Sequence, residues 1–516
     1  MEPLGRDFRT RLGRAVRRPR DRGAEAVFFQ GHAVSDDRAG LAAGLRLPPP
    51  GDPLLSAARH VAPDPAYSHR NVWRIAAPLI LSNITVPLLG IVDTAVVGHL
   101  DSPDYLAAVA VGAVIFGFIF TAFNFLRMGT TGVAAQRFGA DDVAGLKTVL
   151  GQSLLVVVLI SGLLLVLQAP VMALALRLIA PEPEVAALAM EYFQVRVWAA
   201  PAVLANFVLV GWFIGLSNGR VPLAIMVTVN LLNILLDLLF VVVLDWRVTG
   251  VAAASVIAEY TGATLGLWLA WRTLRAQGAP AGWRSPDATV FRALVSVNGN
   301  LFIRTLALMF ALGFLTAQGA RLGSGILAAN AVLLQFFYLL SFALDGLANA
   351  AEALVGRAVG RRDARGLRRA IRVSTLWSVG VAAGFMLAYA LAGTLLIRLM
   401  TGLEDVRLEA QTYLPWLVAA PLICLWGFLY DGIFVGATRA REMRDTMLVA
   451  TFGVFVPGWF LLQGFGNHGL WAAFLAFMAA RGLGLHLWLG RLLRQGRLMP
   501  PDGSSGGSQR AVSGAD

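Results

Sequence analysis

The chain has 516 residues, of which 57% are hydrophobic and 14% charged, with a formal net charge of +12. A soluble protein of this length could not cover so much apolar surface with polar side chains, and the apolar stretches of about 20 residues point to membrane-spanning helices. We therefore predict an all-α polytopic membrane protein, and the single cysteine, Cys424, excludes a disulfide framework and a multi-cysteine metal site.

The first predicted element is an N-terminal extension, residues 1–69, rich in Arg and Pro. It contains no apolar run long enough for a signal-peptide core, so we expect a disordered cytoplasmic tail, although a mis-assigned start codon would explain it equally well. At the other end of the chain, residues 496–516 are rich in Gly and Ser and are predicted to be a disordered C-terminal tail.

Between the tails, the hydropathy pattern predicts twelve transmembrane helices. Helices 1–6 form an N-lobe at residues 70–275, a cytoplasmic linker follows at 276–291, and helices 7–12 form a C-lobe at 292–495. We refer to these lobes as the first and second halves of the chain. The predicted spans are 72–99, 104–128, 145–168, 186–216, 221–244, 249–271, 292–318, 326–354, 371–398, 409–437, 445–465 and 468–493.

The loops at alternate ends of the spans differ in basic residues. Those containing WRTLRAQGAPAGWR, GRAVGRRDARGLRRAIR and ATRAREMRD are rich in Arg, whereas those containing HLDSPD, APEPE and GFGNHG are not. The positive-inside rule puts the arginine-rich loops and both termini in the cytoplasm, which predicts a multi-pass protein of the cytoplasmic (inner) membrane. These loops also account for the net positive charge, so we expect no nucleic-acid partner.

The two halves repeat each other. GADDVAGLK (139–147) matches GRRDARGLR (360–368), and GWFIGLSNGR (211–220) matches GIFVGATRAR (432–441), each 221 residues further along the chain. Because six spans is an even number, both halves enter the bilayer from the same side, so a pseudo-twofold axis along the membrane normal should relate them, with a substrate cleft between them. The paired GxxxG motifs within the second match predict close helix contacts at equivalent positions.

Polar residues interrupt the fifth and sixth spans. In VNLLNILLDLL, Asn230, Asn233 and Asp237 are spaced i, i+3, i+7 and therefore share one helix face. In the next span, Ser255 and Glu259 are four residues apart and also share a face. Each of these groups could simply bond a neighbour, but an acid at this depth more often marks an ion or proton pathway.

Asp93, in GIVDTAVVGHL, is the one acid of the first span. Counting about 1.5 Å of rise per residue puts Asp93, Asp237 and Ser255 all roughly 10 Å below the predicted outer surface, as a site assembled from three helices requires. Protonation of such a carboxylate removes a charge and creates a hydrogen-bond donor, so neighbouring bonds must rearrange. Pro78 and Pro87 weaken the same helix, which predicts a hinge in the first span.

Further charges lie within the predicted spans, and either they balance one another or they contact a ligand. Arg304 illustrates both alternatives, since a guanidinium at mid-span could neutralise an acid across the cleft or attract an anionic part of a ligand. The residues that we predict to line the cleft or to act as charge partners are Asn230, Glu259, Arg304, Asp345, Asp431 and Arg196.

Several long motifs together resemble the DinF-type branch of the multidrug and toxic compound extrusion (MATE) family. They are RIAAPLILSNITVPLLGIVDTAVVGHLDSPDYLAAVAVGA, FLRMGTTGVAAQRFGA, NLLNILLD, VIAEY, ALDG and DGIFVGATRAREMR, and the resemblance covers about residues 70 to 495. It implies twelve helices in two six-helix lobes around a V-shaped cleft, and a monomer. It also implies export of amphiphilic, often cationic, molecules in exchange for H⁺ or Na⁺, with no other cofactor.

The resemblance also assigns roles to individual residues. Asp93 stands in the VDT motif that is central to cation coupling in the family, Asn233 and Asp237 match its N-x-x-x-D pair, and Ser255 replaces a hydroxyl residue that is often threonine. Where some members carry a sodium-binding acid in the seventh helix, this chain has Arg304 and no acid. That departure favours proton coupling, with Na⁺ at Asp93 and Asp237 as the alternative.

Other function classes are less well supported. A lipid-linked precursor flippase would favour a strongly cationic cleft, and Arg127, Arg196 and Arg304 keep that alternative open. The string GLSNG (215–219) formally fits the G-x-S-x-G motif of hydrolases, but it falls in a turn between helices, so we do not expect an enzyme. The sequence has no phosphate-binding G-x-x-x-x-G-K-[ST] loop, so we do not expect ATP to drive transport directly. The two-lobe repeat with asymmetric buried acids disfavours a channel.

Overall fold

The computed structural model describes residues 65–98, 100, 102–280 and 287–499; the remaining parts of the two predicted tails and of the linker lie outside the described residues. Within the described ranges the secondary structure is helical, with no β-strand. The α-helices are α1 (His69–Val97), α2 (Pro103–Phe123), α3 (Phe125–Gly139), α4 (Val143–Val166), α5 (Gln168–Ile179), α6 (Pro183–Arg196), α7 (Ala200–Gly215), α8 (Arg220–Asp237), α9 (Arg247–Ala276), α10 (Ala288–Arg321), α11 (Ser324–Gly360), α12 (Ala364–Met400), α13 (Glu404–Gly436), α14 (Ala440–Leu448), α15 (Val456–Leu462) and α16 (Gly466–Arg494).

A helix overlaps each of the twelve predicted spans. Several spans consist of more than one element: α2 and α3 follow each other with a break at Asn124, and a 3₁₀ turn, Val197–Ala199, joins α6 to α7. Of the helical segments in the described part of the chain, nine are long and apolar enough to cross a membrane. The number of membrane crossings and the division into two lobes stay predictions.

The helical structure begins earlier than the sequence indicated. A 3₁₀ turn, Pro65–Tyr67, and the start of α1 at His69 fall inside the predicted extension 1–69. Tyr67 is buried, and its carbonyl oxygen accepts a hydrogen bond of 3.2 Å from Arg369 Nε on α12. This turn could not be predicted from the local sequence, because its packing against α12 depends on residues 302 positions away.

Helix α5 was not predicted. It is apolar, but its 12 residues are too few to cross a bilayer, and the hydropathy pattern therefore does not mark it as a span. Leu174 and Leu178 on this helix are 59% and 77% exposed. Such exposed leucines, together with Leu391 on α12 at 79%, are what lipid-facing surfaces require.

The contact between α3 and α7 recurs between α11 and α13. Gly211 on α7 packs so closely on the Arg127 carbonyl of α3 that a Cβ atom would have no room. Gly432 on α13 packs in the same way on the Ala348 carbonyl of α11. Both residues of the second pair follow those of the first by 221 positions, so the predicted close contacts at the GxxxG motifs are confirmed, and the two halves repeat them in structure as well as in sequence.

The ends of α3 and α11 also meet each other reciprocally. Gly139 on α3 packs against the Arg357 carbonyl of α11, and Gly360 on α11 packs against the Gln136 carbonyl of α3. These contacts are equivalent under the same shift of 221 residues. A reciprocal contact between equivalent residues is the local signature of twofold symmetry. On the α11 side, it lies at the helix end that precedes the arginine-rich stretch RRDARGLRRAIR.

Candidate functional site

The polar residues predicted on α8 and α9 are brought together. Asn233 and Ser255 are both buried, and the Asn233 amide donates to the Ser255 hydroxyl over 3.4 Å. Asp237 is fully buried one turn further along the same face of α8. A π-helix, Leu238–Val243, follows it directly, and such irregularities often occur at functional positions in helices.

Asp93 lies within α1, but its side chain is outside the described residues, so its pairing with Asp237 stays a prediction. Helices α1 and α8 do contact each other, because the Asn230 amide donates a hydrogen bond of 2.7 Å to the Thr85 hydroxyl. α1 runs without a break through Pro78 and Pro87. The predicted hinge at these prolines is therefore not visible as an interruption of the helix, and it stays a prediction.

Glu259 on α9 is bonded to a buried amide of α7. The Asn206 side-chain amide donates a hydrogen bond of 2.8 Å to Glu259 Oε2 and one of 3.0 Å to the Glu259 carbonyl oxygen. The guanidinium carbon of Arg196 lies 5.8 Å from the ring centre of Phe116 and 5.7 Å from that of Phe120, an arrangement typical of cation–π contacts. The positive charge of Arg196 also attracts the Glu259 carboxylate.

A cavity of about 360 Å³ opens beside Glu259. Its polar lining comes from both halves of the chain, with Asn206 and Asn230 from the first and Asp345 and Asn349 from the second. Its apolar lining includes residues such as Leu79, Val203, Phe207, Met226 and Phe342. The wall thus combines apolar side chains with two carboxyl groups, Glu259 and Asp345, and one guanidinium group, Arg127. Carboxylates beside apolar side chains are suited to an amphiphilic cation.

A second cavity, of about 230 Å³, adjoins the first. The two share the lining residues Asn124, Arg127, Phe342, Asp345 and Asn349. Arg127 on α3 lies at this junction. Its Nη1 donates a hydrogen bond of 2.7 Å to Asn349 Oδ1 on α11, and its Nε donates one of 3.2 Å to Asn124 Oδ1. Residues from both halves thus meet at the middle of the cavity system.

The second cavity is lined by a buried charge cluster. Asp431 on α13 accepts a hydrogen bond of 2.8 Å from Arg481 on α16, and Arg304 on α10 contacts the same carboxylate oxygen. All three residues are buried. Of the two alternatives weighed for Arg304, the structure favours charge balance, although its acid lies in the same half of the chain.

Two charged residues of this region were not predicted. Arg481 lies in the middle of the twelfth span, where the reasoning that identified Arg304 would have found it. Glu352 is 2% exposed and lines the second cavity, but it lies near the end of the eighth predicted span, where an acid would be expected to reach water. Its depth arises because α11 continues beyond that end, to Gly360.

The predicted site residues thus fall into two groups. One group lines one or other cavity: Glu259, Asn230, Arg304, Asp345 and Asp431. The other group lines neither: Asn233, Asp237 and Ser255, which lie one turn or more beyond Asn230, and Arg196, which was predicted to line the cleft or to pair with a charge. Within the described ranges, no cluster of three or more His, Cys, Asp or Glu side chains could hold a metal ion.

The family profile described as MatE matches the chain twice, over residues 78–239 and 301–459. DNA damage-inducible protein F of Escherichia coli (strain K12) is 43% identical over 423 residues, which are 81% of this chain and 91% of that protein. A probable multidrug resistance protein NorM of Rhizobium meliloti (strain 1021) is 28% identical over 446 residues, 82% of this chain and 93% of that one.

Solved structures agree in fold. A MATE protein crystallised in complex with MaD3S superposes with a TM-score of 0.75 and 22% identity, over 83% of this chain and 96% of that one. A MOP superfamily transporter from Pyrococcus furiosus gives a TM-score of 0.74 at 21% identity, over 83% and 96% of the two chains. We conclude that the chain belongs to the MatE family of multi-pass membrane transporters, because the family profile matches two long segments, a relative is 43% identical and the fold is shared.

Proposed function

We propose that this protein is a secondary active efflux transporter that exports amphiphilic or cationic small molecules across the cytoplasmic (inner) membrane in exchange for protons. The observation that carries this proposal is the cavity of about 360 Å³, because its wall contains an apolar part and the carboxyl groups of Glu259 and Asp345, against one arginine, Arg127. An apolar wall binds the hydrophobic body of an amphiphile, and the carboxylates attract its positive charge. The family relationship supports the same function.

Proton coupling is proposed to occur at Asp93, Asn233, Asp237 and Ser255, beside the cavity and not within it. Asp237 is buried at the end of α8, and a change of its charge would alter the hydrogen bonds around it. Asn230, two turns back on the same helix, lines the cavity and bonds Thr85 of α1. A shift of α8 relative to α1 would thus move Asn230 and change the shape of the substrate cavity. Sodium at the same acids is the alternative.

Alternating access is proposed to occur as two six-helix lobes rock about their shared contacts. The glycine contacts between α3 and α11 join the two halves at the end that the positive-inside rule assigns to the cytoplasm. In our proposal this end is therefore closed, and the cavities are reached from the opposite side of the membrane. The twelve crossings and the cytoplasmic location of both termini belong to this proposal, as does a monomeric transporter.

A lipid-linked precursor flippase is the second candidate, because the second cavity carries three arginines: Arg127, Arg304 and Arg481. An anionic headgroup would be attracted to such a wall. Two of these guanidinium groups already contact Asp431, which leaves less free positive charge than a flippase of this kind requires. We therefore rank this candidate below drug efflux.

The experiment is transport by the full chain in proteoliposomes with an imposed H⁺ or Na⁺ gradient. We expect a panel of lipophilic cations to be extruded with the H⁺ gradient and not with the Na⁺ gradient alone. Translocation of a labelled lipid precursor without extrusion of any cation would favour the flippase instead. Extrusion that follows the Na⁺ gradient at constant pH would retain the efflux function and replace the coupling ion.

A further inference from the structure

A groove with four arginines lies at the start of α12, remote from the cavities described above. Arg365, Arg368, Arg369 and Arg372 are spaced i, i+3, i+4, i+7 and therefore project from one face of the helix. With His69 of α1 they line an open groove of about 990 Å³. We call these five residues and the groove between them the arginine groove.

Within the part of the chain that the structure describes, no acidic side chain pairs with the arginines of the groove. Arg365, Arg368 and Arg372 are exposed, and among the described residues no carboxylate lies within 4.0 Å of any of the four guanidinium groups. The Nε of Arg369 donates a hydrogen bond of 3.2 Å to the Tyr67 carbonyl oxygen, and this bond holds the Arg369 side chain towards the start of α1. Four unneutralised cations on one helix face repel one another unless an anion lies between them.

The repeat within the chain shows that this charge is a local feature. The residues 221 positions earlier, at the equivalent start of α4, are Ala144, Lys147, Thr148 and Gly151. One basic residue at the same end of the bundle therefore suffices there for the positive-inside bias. The three additional positive charges on α12 call for a separate explanation.

The floor of the groove becomes apolar in the direction of the membrane. Leu376, which is 59% exposed, and Val379 line it four and seven residues beyond Arg372, which is roughly 6 to 10 Å deeper along the helix. Beside the groove, Trp377 packs edge-on against Trp73 with ring centres 5.1 Å apart. The indole N–H of Trp377 donates a hydrogen bond of 3.1 Å to His69 Nδ1. Tryptophans of this kind are typical of the level of the lipid headgroups.

From this arrangement we infer that the arginine groove binds an anionic glycerophospholipid of the cytoplasmic leaflet, with the phosphate among the arginines and an acyl chain along Leu376 and Val379. Arginine presents several N–H donors in a planar fork that matches phosphate oxygens. Basic pockets between membrane helices on the cytoplasmic side are suited to such headgroups. A free phosphate would satisfy the arginines alone, and it would leave the apolar floor uncovered.

The test uses the full chain purified in detergent, with lipid adducts measured by native mass spectrometry on adding phosphatidylglycerol or phosphatidylcholine. The variant R365Q/R368Q/R372Q removes three charges from the groove. The matched control R272Q/R275Q/R292Q removes three exposed arginines elsewhere on the predicted cytoplasmic side. We expect wild type and control to bind phosphatidylglycerol at least about tenfold more tightly than phosphatidylcholine, and the groove variant to lose this preference.

Equal loss of preference in both variants, or no preference in the wild type, would overturn the inference. So would displacement of phosphatidylglycerol by an equal concentration of inorganic phosphate, since that would mean that the apolar floor contributes nothing. A second measurement does not depend on the folding of the arginine variants. Phosphatidylglycerol with brominated acyl chains should quench tryptophan fluorescence less in the Trp377→Phe variant than in the wild type, and equal quenching would contradict the site.

Discussion

Arg481 on α16 donates a hydrogen bond of 2.8 Å to Asp431 on α13, and both side chains are buried. Arg304 on α10 contacts the same carboxylate, so three helices of the second half meet at one acid. No carboxylate occurs at the equivalent position of the first half, where Val210 stands 221 residues earlier. The two halves therefore share their glycine contacts but differ in their buried charges. In our proposal the first half carries the coupling acids, and the charge cluster of the second half has a structural role.

The Asp431→Asn variant tests this structural role. Removing the carboxylate leaves two buried guanidinium groups without their acid, which typically costs about 3–5 kcal/mol of stability. The Glu404→Gln variant is the control, because Glu404 is exposed and its pair with Arg407 is worth about 1 kcal/mol or less. Unfolding of both variants in detergent by a denaturant gives the comparison. Equal losses of stability would show that the buried cluster is not what holds these helices together.

Gly132 provides a test of the contact between α3 and α13. A Cβ atom there would collide with the Val435 carbonyl, whereas one at Gly117 on α2 would meet no other atom within 4 Å. We expect Gly132→Val to cost about 1–3 kcal/mol by overpacking and to slow transport, while Gly117→Val changes neither appreciably. Thermal unfolding and initial rates of efflux measure the two effects. A neutral Gly132→Val variant would mean that the helices separate easily at this point.

The hydroxyl group of Ser255 is expected to matter more than the volume of its side chain. Ser255→Ala removes the acceptor of the Asn233 amide, and a hydrogen bond worth about 1 kcal/mol corresponds to a loss on the order of fivefold in the rate of proton-driven efflux. Ser255→Thr keeps the hydroxyl and should retain most of the rate. If the alanine variant were as active as the threonine variant, Ser255 would have no part in coupling.

Glu259 should act on substrate charge. Glu259→Gln keeps the shape of the side chain and an acceptor for the Asn206 amide but removes the negative charge from the cavity wall. We expect the KM for a monovalent cation to rise by about fivefold and that for a neutral amphiphile to change little. Glu191→Gln, an exposed substitution, serves as the control. A similar rise in KM for both substrates would indicate a general distortion of the cavity.

The sequence predicted those parts of the site that local periodicity encodes. The i, i+3, i+7 spacing placed Asn230, Asn233 and Asp237 on one face of a helix, and all three are buried in α8. The shared depth of Asp93, Asp237 and Ser255 stays a prediction, although Ser255 does contact Asn233 of the same helix face. The recurrence of glycine pairs at a constant shift predicted helix contacts that the structure contains. In each case the signal lies within one helix or in a comparison of two similar segments.

The parts that the sequence did not predict depend on distant contacts or on span ends. Glu352 was passed over because hydropathy ended the eighth span too early, and α5 because it is too short to be a span. The partner of Arg304 could not be chosen among the acids of the chain without knowing which helices are neighbours. The buried ring of Tyr67 lies against Gly366 at the start of α12, and no pattern in residues 65–69 reveals that contact.

The proposed mechanism requires the acids of the first half to couple proton entry to export. Its most direct test is the initial rate of cation efflux driven by a pH gradient in proteoliposomes containing Asp237→Asn or Asp93→Asn, each close in volume to the wild-type residue. Under this mechanism we expect both variants to fold and to bind the cation with near-normal affinity but to lose gradient-driven efflux. Efflux at the wild-type rate in either variant, with the same dependence on the pH gradient, would contradict it.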